Sequence, residues 1–246
     1  MTTIASNLQG VKQRLEQACA AARRDVDTVA LLAVSKTFGP EEVAEAVAAG
    51  QRAFGENYVQ EGVEKVLALQ ALRPDVALEW HCIGPLQSNK TRLVAAHFDW
   101  VHAVDRLKIA QRLSEQRPPE KAPLQVCLQV NVDGGANKSG VAPEALEALA
   151  HAVAVLPGLR LRGLMSIPEP SDDPAVQRAL FRRVKELFDR LNAAGLALDT
   201  LSMGMSDDLE AAVAEGSTLV RVGRAVFGYR PRKEAPLTAS AAAGSA

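Results

Sequence analysis

The chain has 246 residues, with 28 Lys and Arg against 29 Asp and Glu, and a formal net charge of −1 at pH 7. This balance offers no broad positive surface, so we expect neither nucleic acid nor a membrane as a partner. Hydrophobic residues make up 48% and charged residues 23% of the chain, which is typical of a water-soluble globular domain.

The cysteines and the first residues indicate the compartment. Cys19, Cys82 and Cys127 are widely spaced in apolar stretches and cannot pair completely, which favours a reducing environment. The histidines form no tight ligand pattern with them, so we predict no metal site. Residues 1–10 lack the basic and apolar regions of a signal peptide, and no apolar run is long enough to span a membrane. We therefore expect a cytoplasmic protein.

Helical and strand patterns alternate from the beginning of the chain. A helix is predicted from Ile4 to Arg24, where apolar positions recur at helical spacing without a proline. The continuous apolar run Val29–Val34 is typical of a strand buried on both faces, as in a parallel sheet. The pair Gly39–Pro40 then opens a second helix, because proline suits the first helical position.

The same alternation continues and predicts a closed barrel. Further strands are predicted near Arg52–Phe54, Leu78–Ile83, Trp100–Ala103, Leu124–Val132, Leu161–Met165, Thr200–Ser202 and Thr218–Val222. Helices lie between most of them, including Tyr58–Leu72, Arg106–Glu115, Pro143–Leu156 and Pro174–Ala194. Eight strands with intervening helices predict a single α/β domain, a (β/α)8 TIM barrel. An extra N-terminal helix would fill the outer-ring place after the eighth strand. An open doubly wound sheet is the alternative.

The domain organisation follows from the absence of any linker-like segment in the sequence. We expect residues 1–230 to form the barrel as one domain. Residues 231–246 are small, polar and featureless, and we expect this tail to be disordered.

In β/α barrels the working residues collect at the C-terminal ends of strands and in the loops that follow. The first candidate is Lys36, in the segment Ser35–Thr37 that follows the strand Val29–Val34. Partial burial at this position disfavours the ammonium form and leaves an amine suited to imine formation. The alternative is a surface lysine whose stem lies along apolar neighbours.

The second and third loops carry polar side chains whose role the pattern leaves open. Gly55–Tyr58 and Gly84–Lys90 follow their strands, and either turn can cap a helix and do nothing else. Asn57 is the favoured ligand contact, because a planar amide can lie beside a flat heterocycle. Glu56 and Lys90 are candidates for an ion pair.

The seventh and eighth loops have the composition of a phosphate site. The segment Ser202–Asp208 contains a glycine and two hydroxyl residues, and Arg221–Arg224 follows the eighth strand. Barrels commonly bind phosphate in these two loops, where glycine lets backbone N–H groups approach the oxygens. Ser206 can donate a hydroxyl, and Gly223 and Arg224 can offer backbone amides. The two aspartates that end the seventh loop argue against a nearby anion, but we expect them to face outward.

A reactive lysine and a phosphate site at one mouth suggest a phosphorylated aldehyde, and pyridoxal 5′-phosphate has that form. Seven segments in collinear order are also highly specific together: Leu31–Lys36 (LLAVSK), Phe54–Glu61 (FGENYVQE), Trp80–Lys90 (WHCIGPLQSNK), Asn131–Gly140 (NVDGGANKSG), Gly163–Pro168 (GLMSIP), Leu201–Asp207 (LSMGMSD) and Val220–Gly228 (VRVGRAVFG). They resemble the YggS/PROSC family of pyridoxal-phosphate homeostasis proteins, from the first helix to about Tyr229.

The resemblance implies a fold-type III barrel like the N-terminal domain of alanine racemase. It implies pyridoxal 5′-phosphate bound as a Schiff base on Lys36, with Asn57 beside the cofactor. Arg221 would face the pyridine nitrogen and leave it unprotonated, which makes the ring a weaker electron sink. The predicted cofactor contacts, including the phosphate ligands, are Lys36, Asn57, Met203, Ser206, Arg221, Gly223 and Arg224.

One position departs from the family pattern. Many relatives carry a further lysine where this chain has Phe38. Lys138 is then the remaining candidate for an auxiliary role, and an ordinary solvated lysine is the interpretation we favour.

The resemblance also implies a role as a carrier or regulator of pyridoxal phosphate in vitamin B6 and amino-acid homeostasis, with apo-enzymes as transient partners. We predict no catalytic residue, because racemisation needs proton transfer on both faces of the substrate carbanion. Racemases use a tyrosine from a second domain, for which we expect no room after the eighth strand. The absence of that domain favours a monomer. A weak amino-acid racemase or lyase is the alternative, and a barrel without cofactor is a third.

Overall fold

The protein forms a closed barrel of eight parallel strands in the computed structural model, which describes residues 3–134 and 139–228. The strands are β1 (Ala30–Val34), β2 (Ala53–Glu56), β3 (Glu79–Cys82), β4 (Trp100–Val104), β5 (Leu124–Gln129), β6 (Leu159–Met165), β7 (Thr200–Ser202) and β8 (Leu219–Val222). Each strand pairs with the next, and β8 closes onto β1 with Ala33 opposite Val222. The predicted barrel is confirmed, and the doubly wound alternative is wrong. Both Lys138 and the predicted tail at 231–246 lie outside the described residues.

Helices surround the barrel. In the described ranges they are α1 (Ile4–Ala21), α2 (Pro40–Ala48), α3 (Val59–Leu72), α4 (Thr91–His97), α5 (Leu107–Gln116), α6 (Pro143–Ala154), α7 (Pro174–Ala193), α8 (Leu209–Ala214) and α9 (Arg224–Phe227). The first helix packs against α2, α8 and α9. The Asn7 side-chain amide donates to the Val226 carbonyl at 3.0 Å, which ties α1 to the end of the barrel. The extra helix therefore fills the outer-ring place, as predicted.

Local sequence explains the start of α2. Pro40 occupies the first turn, where its fixed φ suits a helix and its missing N–H costs nothing. The Glu42 carboxylate accepts the Gly39 N–H at 2.9 Å and satisfies one of the donors that a helix start leaves open. The predicted helix start at Gly39–Pro40 is confirmed.

Several predicted boundaries differ from the structure, and three of these differences have a clear local cause. The first helix ends at Ala21 because the chain turns through Arg23, whose φ is +53°. The second strand continues to Glu56, since that residue pairs with β3. The fifth strand ends at Gln129 because Val130 leaves the sheet ladder and makes an isolated bridge beyond it.

Buried thiols pack within the fold. Cys19, Cys82 and Cys127 are all buried without a disulfide. Burial raises the pKa of the Cys82 and Cys127 thiols to about 12, so both are protonated at neutral pH. Among residues 3–134 and 139–228, no helix is long and apolar enough to cross a membrane, and no cluster of three metal-ligating side chains occurs.

Two glycines give opposite predictions for stability. Gly163 on β6 lies against β7, and a Cβ atom there would stand 1.7 Å from the Thr200 carbonyl oxygen. We expect Gly163→Ala to destabilise the protein by ~3 kcal/mol or more, since backbone must move in a packed barrel. Gly10 lies on α1 with nothing within 4 Å of such a Cβ atom. Gly10→Ala should stabilise by ~0.5–1 kcal/mol through helix propensity. Urea unfolding monitored by circular dichroism measures both, and equal effects would contradict the packing argument.

Candidate functional site

A cavity of about 550 Å³ opens at the C-terminal ends of the strands, and we call it the mouth cavity. It is lined by Val34, Lys36, Asn57, Ile83, Ile167, Met205, Ser206, Asp207, Arg221, Gly223 and Arg224. Six of the seven predicted cofactor contacts are in this set, and they come from four different loops or strand ends. The structure thus brings together residues that lie far apart in the sequence.

Met203 is the predicted contact that the mouth cavity does not include in the described part of the chain. Its side chain is 0% exposed and belongs to the hydrophobic core. The next residue, Gly204, has a φ of +95°, and this left-handed turn carries the chain back so that Met205 lines the cavity instead. Nothing in the sequence indicates that Met203 enters the core while Met205 lines the cavity.

Lys36 lies two residues beyond the end of β1 and is half-buried. The neighbouring Ser35 is fully buried, and its hydroxyl donates to the Glu56 carboxylate at 2.6 Å. Lys65 on α3 donates to the same carboxylate at 2.7 Å. Glu56 therefore pairs with Lys65, and the suggested ion pair with Lys90 is wrong. The sequence pattern missed Lys65 because a lysine on an amphipathic helix usually faces solvent.

Burial also affects the pKa of the Glu56 carboxyl in this pair. It raises the pKa of the fully buried Glu56 carboxyl above its ordinary value, while the nearby Lys65 ammonium and the Ser35 hydroxyl act in the opposite direction. Lys65 itself is 3% exposed. An ion pair at this depth depends on its hydrogen bonds, because each charge alone would be costly to bury.

Arg221 at the end of β8 is a cation buried almost completely. Its side chain donates to the Ser202 carbonyl at 2.6 Å, to the Ser202 hydroxyl at 2.7 Å and to the Ser166 carbonyl at 2.9 Å. Burial lowers the pKa of the guanidinium to about 10, so it remains charged at neutral pH. Its charge is thus met by neutral oxygen atoms at the floor of the mouth cavity, where the sequence predicted it.

A chain of buried polar side chains continues from Arg221 through the barrel interior. The Ser202 hydroxyl lies 2.8 Å from His102 Nδ1, and His102 Nε2 lies 2.8 Å from His81 Nδ1. His81 Nε2 in turn lies 2.8 Å from the Glu79 carboxylate. Burial lowers the pKa of His102 well below its ordinary value, with His81 and Arg221 adding to the effect. From the sequence, these histidines showed only that they form no metal-ligand pattern with the cysteines, and their contact with each other was not predicted.

The two ends of this chain fix the direction of its hydrogen bonds. The hydrogen bond from His81 keeps the pKa of Glu79 below its ordinary value, so this carboxylate only accepts. At the other end Arg221 donates to the Ser202 hydroxyl, which in turn donates to His102 Nδ1. A neutral His102 therefore carries its proton on Nε2 and donates to His81 Nδ1.

We predict that His102 is neutral and protonated on Nε2 at neutral pH. Ring ¹⁵N NMR of the protein would show this directly, because the two nitrogens have distinct chemical shifts. Glu79→Leu removes the terminal acceptor at a half-exposed site and should shift the proton distribution on His81 and His102. Glu64→Ala, at an exposed position on α3, is the matched control and should leave both spectra unchanged. A proton on His102 Nδ1 in the unsubstituted protein would contradict the proposed direction.

The seventh loop is held from outside the barrel by α1. Arg14 donates to the Ser206 carbonyl at 2.7 Å and forms an ion pair with Glu210 at 2.6 Å. Asp207 is exposed, yet it lines the mouth cavity and pairs with Arg224 at the rim, contrary to the outward orientation expected from the sequence. Arg14 lies on α1, far from the seventh loop in the sequence, so its contact with Ser206 could not be predicted from the sequence.

Asn57 is positioned by a close backbone contact. A Cβ atom at Gly84 would stand 2.3 Å from the Asn57 carbonyl oxygen, so the third loop packs directly on the second. Only glycine allows this approach without a shift of the Asn57 backbone. The sequence placed Gly84 in a turn but did not predict its close approach to the Asn57 backbone.

A larger groove of about 820 Å³ lies between α1, α7 and α8. It meets the mouth cavity at Met205 and Asp207. Alanine side chains of α1 and α8 form much of its floor, with acidic residues along its edge. Lys36 and Arg221 line the smaller cavity and not this groove, so we place the candidate site in the mouth cavity.

Comparison with known proteins identifies the family. The family model for the alanine racemase N-terminal domain matches residues 6–231. A pyridoxal phosphate homeostasis protein from Pseudomonas aeruginosa is 62% identical over 230 residues, covering 94% of this chain and 97% of that protein. The chain belongs to the YggS/PROSC family of pyridoxal phosphate homeostasis proteins. An Escherichia coli protein of the same name is 52% identical and is covered over 98% of its length.

Solved structures agree with membership of this homeostasis-protein family. PipY from Synechococcus elongatus, solved with PLP bound, matches with a TM-score of 0.75 and 39% identity, covering 87% of this chain and all of PipY. A protein from Bifidobacterium adolescentis matches with a TM-score of 0.86 and 34% identity, covering 91% and 94%. Alanine racemase from Corynebacterium glutamicum matches with a TM-score of 0.65 at 19% identity, over 59% of its chain. That last similarity shows a shared fold alone.

Proposed function

We propose that this chain binds pyridoxal 5′-phosphate in the mouth cavity, as a Schiff base on Lys36, and acts as a carrier or regulator of the cofactor. The observation that carries the proposal is the shared cavity, which places a half-buried lysine beside a buried arginine and the glycine and serine of two loops. The names of its relatives, and the PLP-bound PipY structure, support the choice of ligand.

The residues of the mouth cavity fit such a group. Its volume of about 550 Å³ lies within the usual range for a small-ligand pocket. The buried Ser166 hydroxyl has no hydrogen-bond partner in the described residues, although its carbonyl binds Arg221. A buried hydroxyl without a partner is rare; Ser166 does not itself line the cavity, but it lies next to Arg221, which does. Gly223 lies so close to β1 that a Cβ atom would stand 3.2 Å from the Val34 carbonyl oxygen.

Each of these residues has a distinct task in the proposed complex. Lys36 would hold the aldehyde carbon of the ligand covalently through its amine, with release of water, at the end of β1. Ser206, Gly223 and Arg224 would bind the phosphate through hydroxyl and backbone donors. Arg221 would keep its proton and face the pyridine nitrogen as a hydrogen-bond donor, so that this nitrogen would remain unprotonated. When bound, the cofactor supplies an electrophilic carbon and a conjugated ring that withdraws electrons.

Two features of the cavity favour a carrier over a racemase. Among its described lining residues, Lys36 and Asp207 are the side chains suited to proton transfer, and Asp207 is exposed and paired with Arg224. Racemisation requires an acid and a base on opposite faces of the carbanion. A charged Arg221 also makes the ring a weaker electron sink than a carboxylate partner would. We further propose that the protein acts in the cytoplasm as a monomer and meets apo-enzymes transiently.

Borohydride reduction tests the attachment site. After incubation with pyridoxal phosphate and reduction, peptide mapping should find the label on Lys36. Lys36→Ala should lose the label and bind the ligand about a hundredfold more weakly, equivalent to ~2.7 kcal/mol. Lys108→Ala changes an exposed lysine on α5 and serves as the matched control. Label on another lysine in the unsubstituted protein would overturn the assignment.

A panel of L-amino acids separates the carrier from an enzyme. The loaded protein should leave the enantiomeric composition and the amount of each amino acid unchanged over many hours. Chiral chromatography measures both quantities. Robust turnover that disappears in Lys36→Ala would reject the carrier and favour the racemase or lyase.

A further inference from the structure

The residue after Lys36 has an unusual backbone conformation. Thr37 has a φ of +72°, in the left-handed region. A β-branched side chain rarely adopts this region, because its Cβ substituents crowd the backbone. Such a conformation persists only where surrounding contacts hold it, and these positions cluster at functional sites.

The contacts that hold this turn come from β2 and α3. The Glu61 carboxylate accepts a hydrogen bond from the Thr37 N–H at 2.5 Å, so it binds the strained residue directly. Lys65 donates to the Ser35 carbonyl at 2.7 Å and to Glu61 at 2.7 Å. Both sequence neighbours of Lys36 are therefore bound by one cluster of charged side chains.

Lys65 cannot act as a second nucleophile in this arrangement. An ammonium has three N–H donors, and these three meet the Ser35 carbonyl and the carboxylates of Glu56 and Glu61. The side chain is almost fully buried and does not line the mouth cavity. Its role is to hold acceptors in place.

We infer that Glu61 and Lys65 are positioning residues, which hold the Ser35–Thr37 turn in its left-handed form and thereby direct the Lys36 amine into the mouth cavity. This inference rests on the proposed function, because it concerns how the same lysine is presented to pyridoxal phosphate. Neither residue lines the mouth cavity. They act through the backbone on either side of the lysine.

A double-mutant cycle between Glu61 and Thr37 tests the inference. Glu61 is partly exposed, so Glu61→Ala should fold. We expect it to weaken pyridoxal phosphate binding about tenfold. Glycine adopts positive φ without strain, so Thr37→Gly in the Glu61→Ala background should restore part of the lost affinity. Glu61→Gln retains an oxygen acceptor for the Thr37 N–H and should bind more tightly than Glu61→Ala. Glu64→Ala, on an exposed face of α3, is the matched control.

Two further readouts separate positioning from general stability. Hydrogen exchange of the Thr37 amide in the ligand-free protein should be faster in Glu61→Ala than in Glu64→Ala. Urea unfolding of the ligand-free variants shows whether lost affinity follows lost stability. Unchanged affinity in Glu61→Ala, or no recovery with Thr37→Gly, would overturn the inference. Failure of the proposed function would instead appear in the unsubstituted protein, as absence of borohydride label on Lys36.

Discussion

Closure of the sheet is the constraint on which the site depends. The first and last strands are far apart in the chain, yet β1 pairs with β8 along four register positions. This pairing places Lys36, just past β1, beside Arg221 and Gly223 at the end of β8. Because all strands of the barrel are parallel, every loop at their C-terminal ends opens on the same rim. An open sheet with the same sequence order would leave these residues on opposite edges.

The barrel holds two buried cations by different means. Lys65 is bound by carboxylates, and it also donates to the carbonyl of Ser35, the residue before Lys36. Arg221 is surrounded by carbonyl and hydroxyl oxygens, and its neighbour His102 has a lowered pKa. The first arrangement neutralises charge locally. The second leaves a positive charge at the cavity floor, where it can donate a hydrogen bond to a ring nitrogen or another acceptor.

The shared fold with alanine racemase does not by itself settle the chemistry. At 19% identity the similarity extends to the architecture of the barrel. Function depends on which acids and bases reach the ligand, and the described lining of the mouth cavity has few of them. The proposed carrier function needs only the cavity lysine, whereas a racemase also needs a second proton-transfer group on the opposite face of the ligand.

The barrel, and most of the predicted residues that line the mouth cavity, could be inferred from the sequence alone. Strand and helix periodicity predicted eight units, and the loop motifs identified Lys36, Asn57 and Ser206. These signals are local, since each depends on residues within one strand and the loop after it. The closed topology then followed from the number of repeats.

Which side chains are in contact could be seen only in the tertiary structure. Lys65 pairs with Glu56 and His81 meets His102 because neighbouring strands and helices bring them together, and no sequence spacing encodes those distances. Met203 turned inward because of a left-handed glycine, a conformation that one-dimensional patterns do not contain. Contacts between distant segments depend on register and packing, which are fixed only when the whole barrel closes.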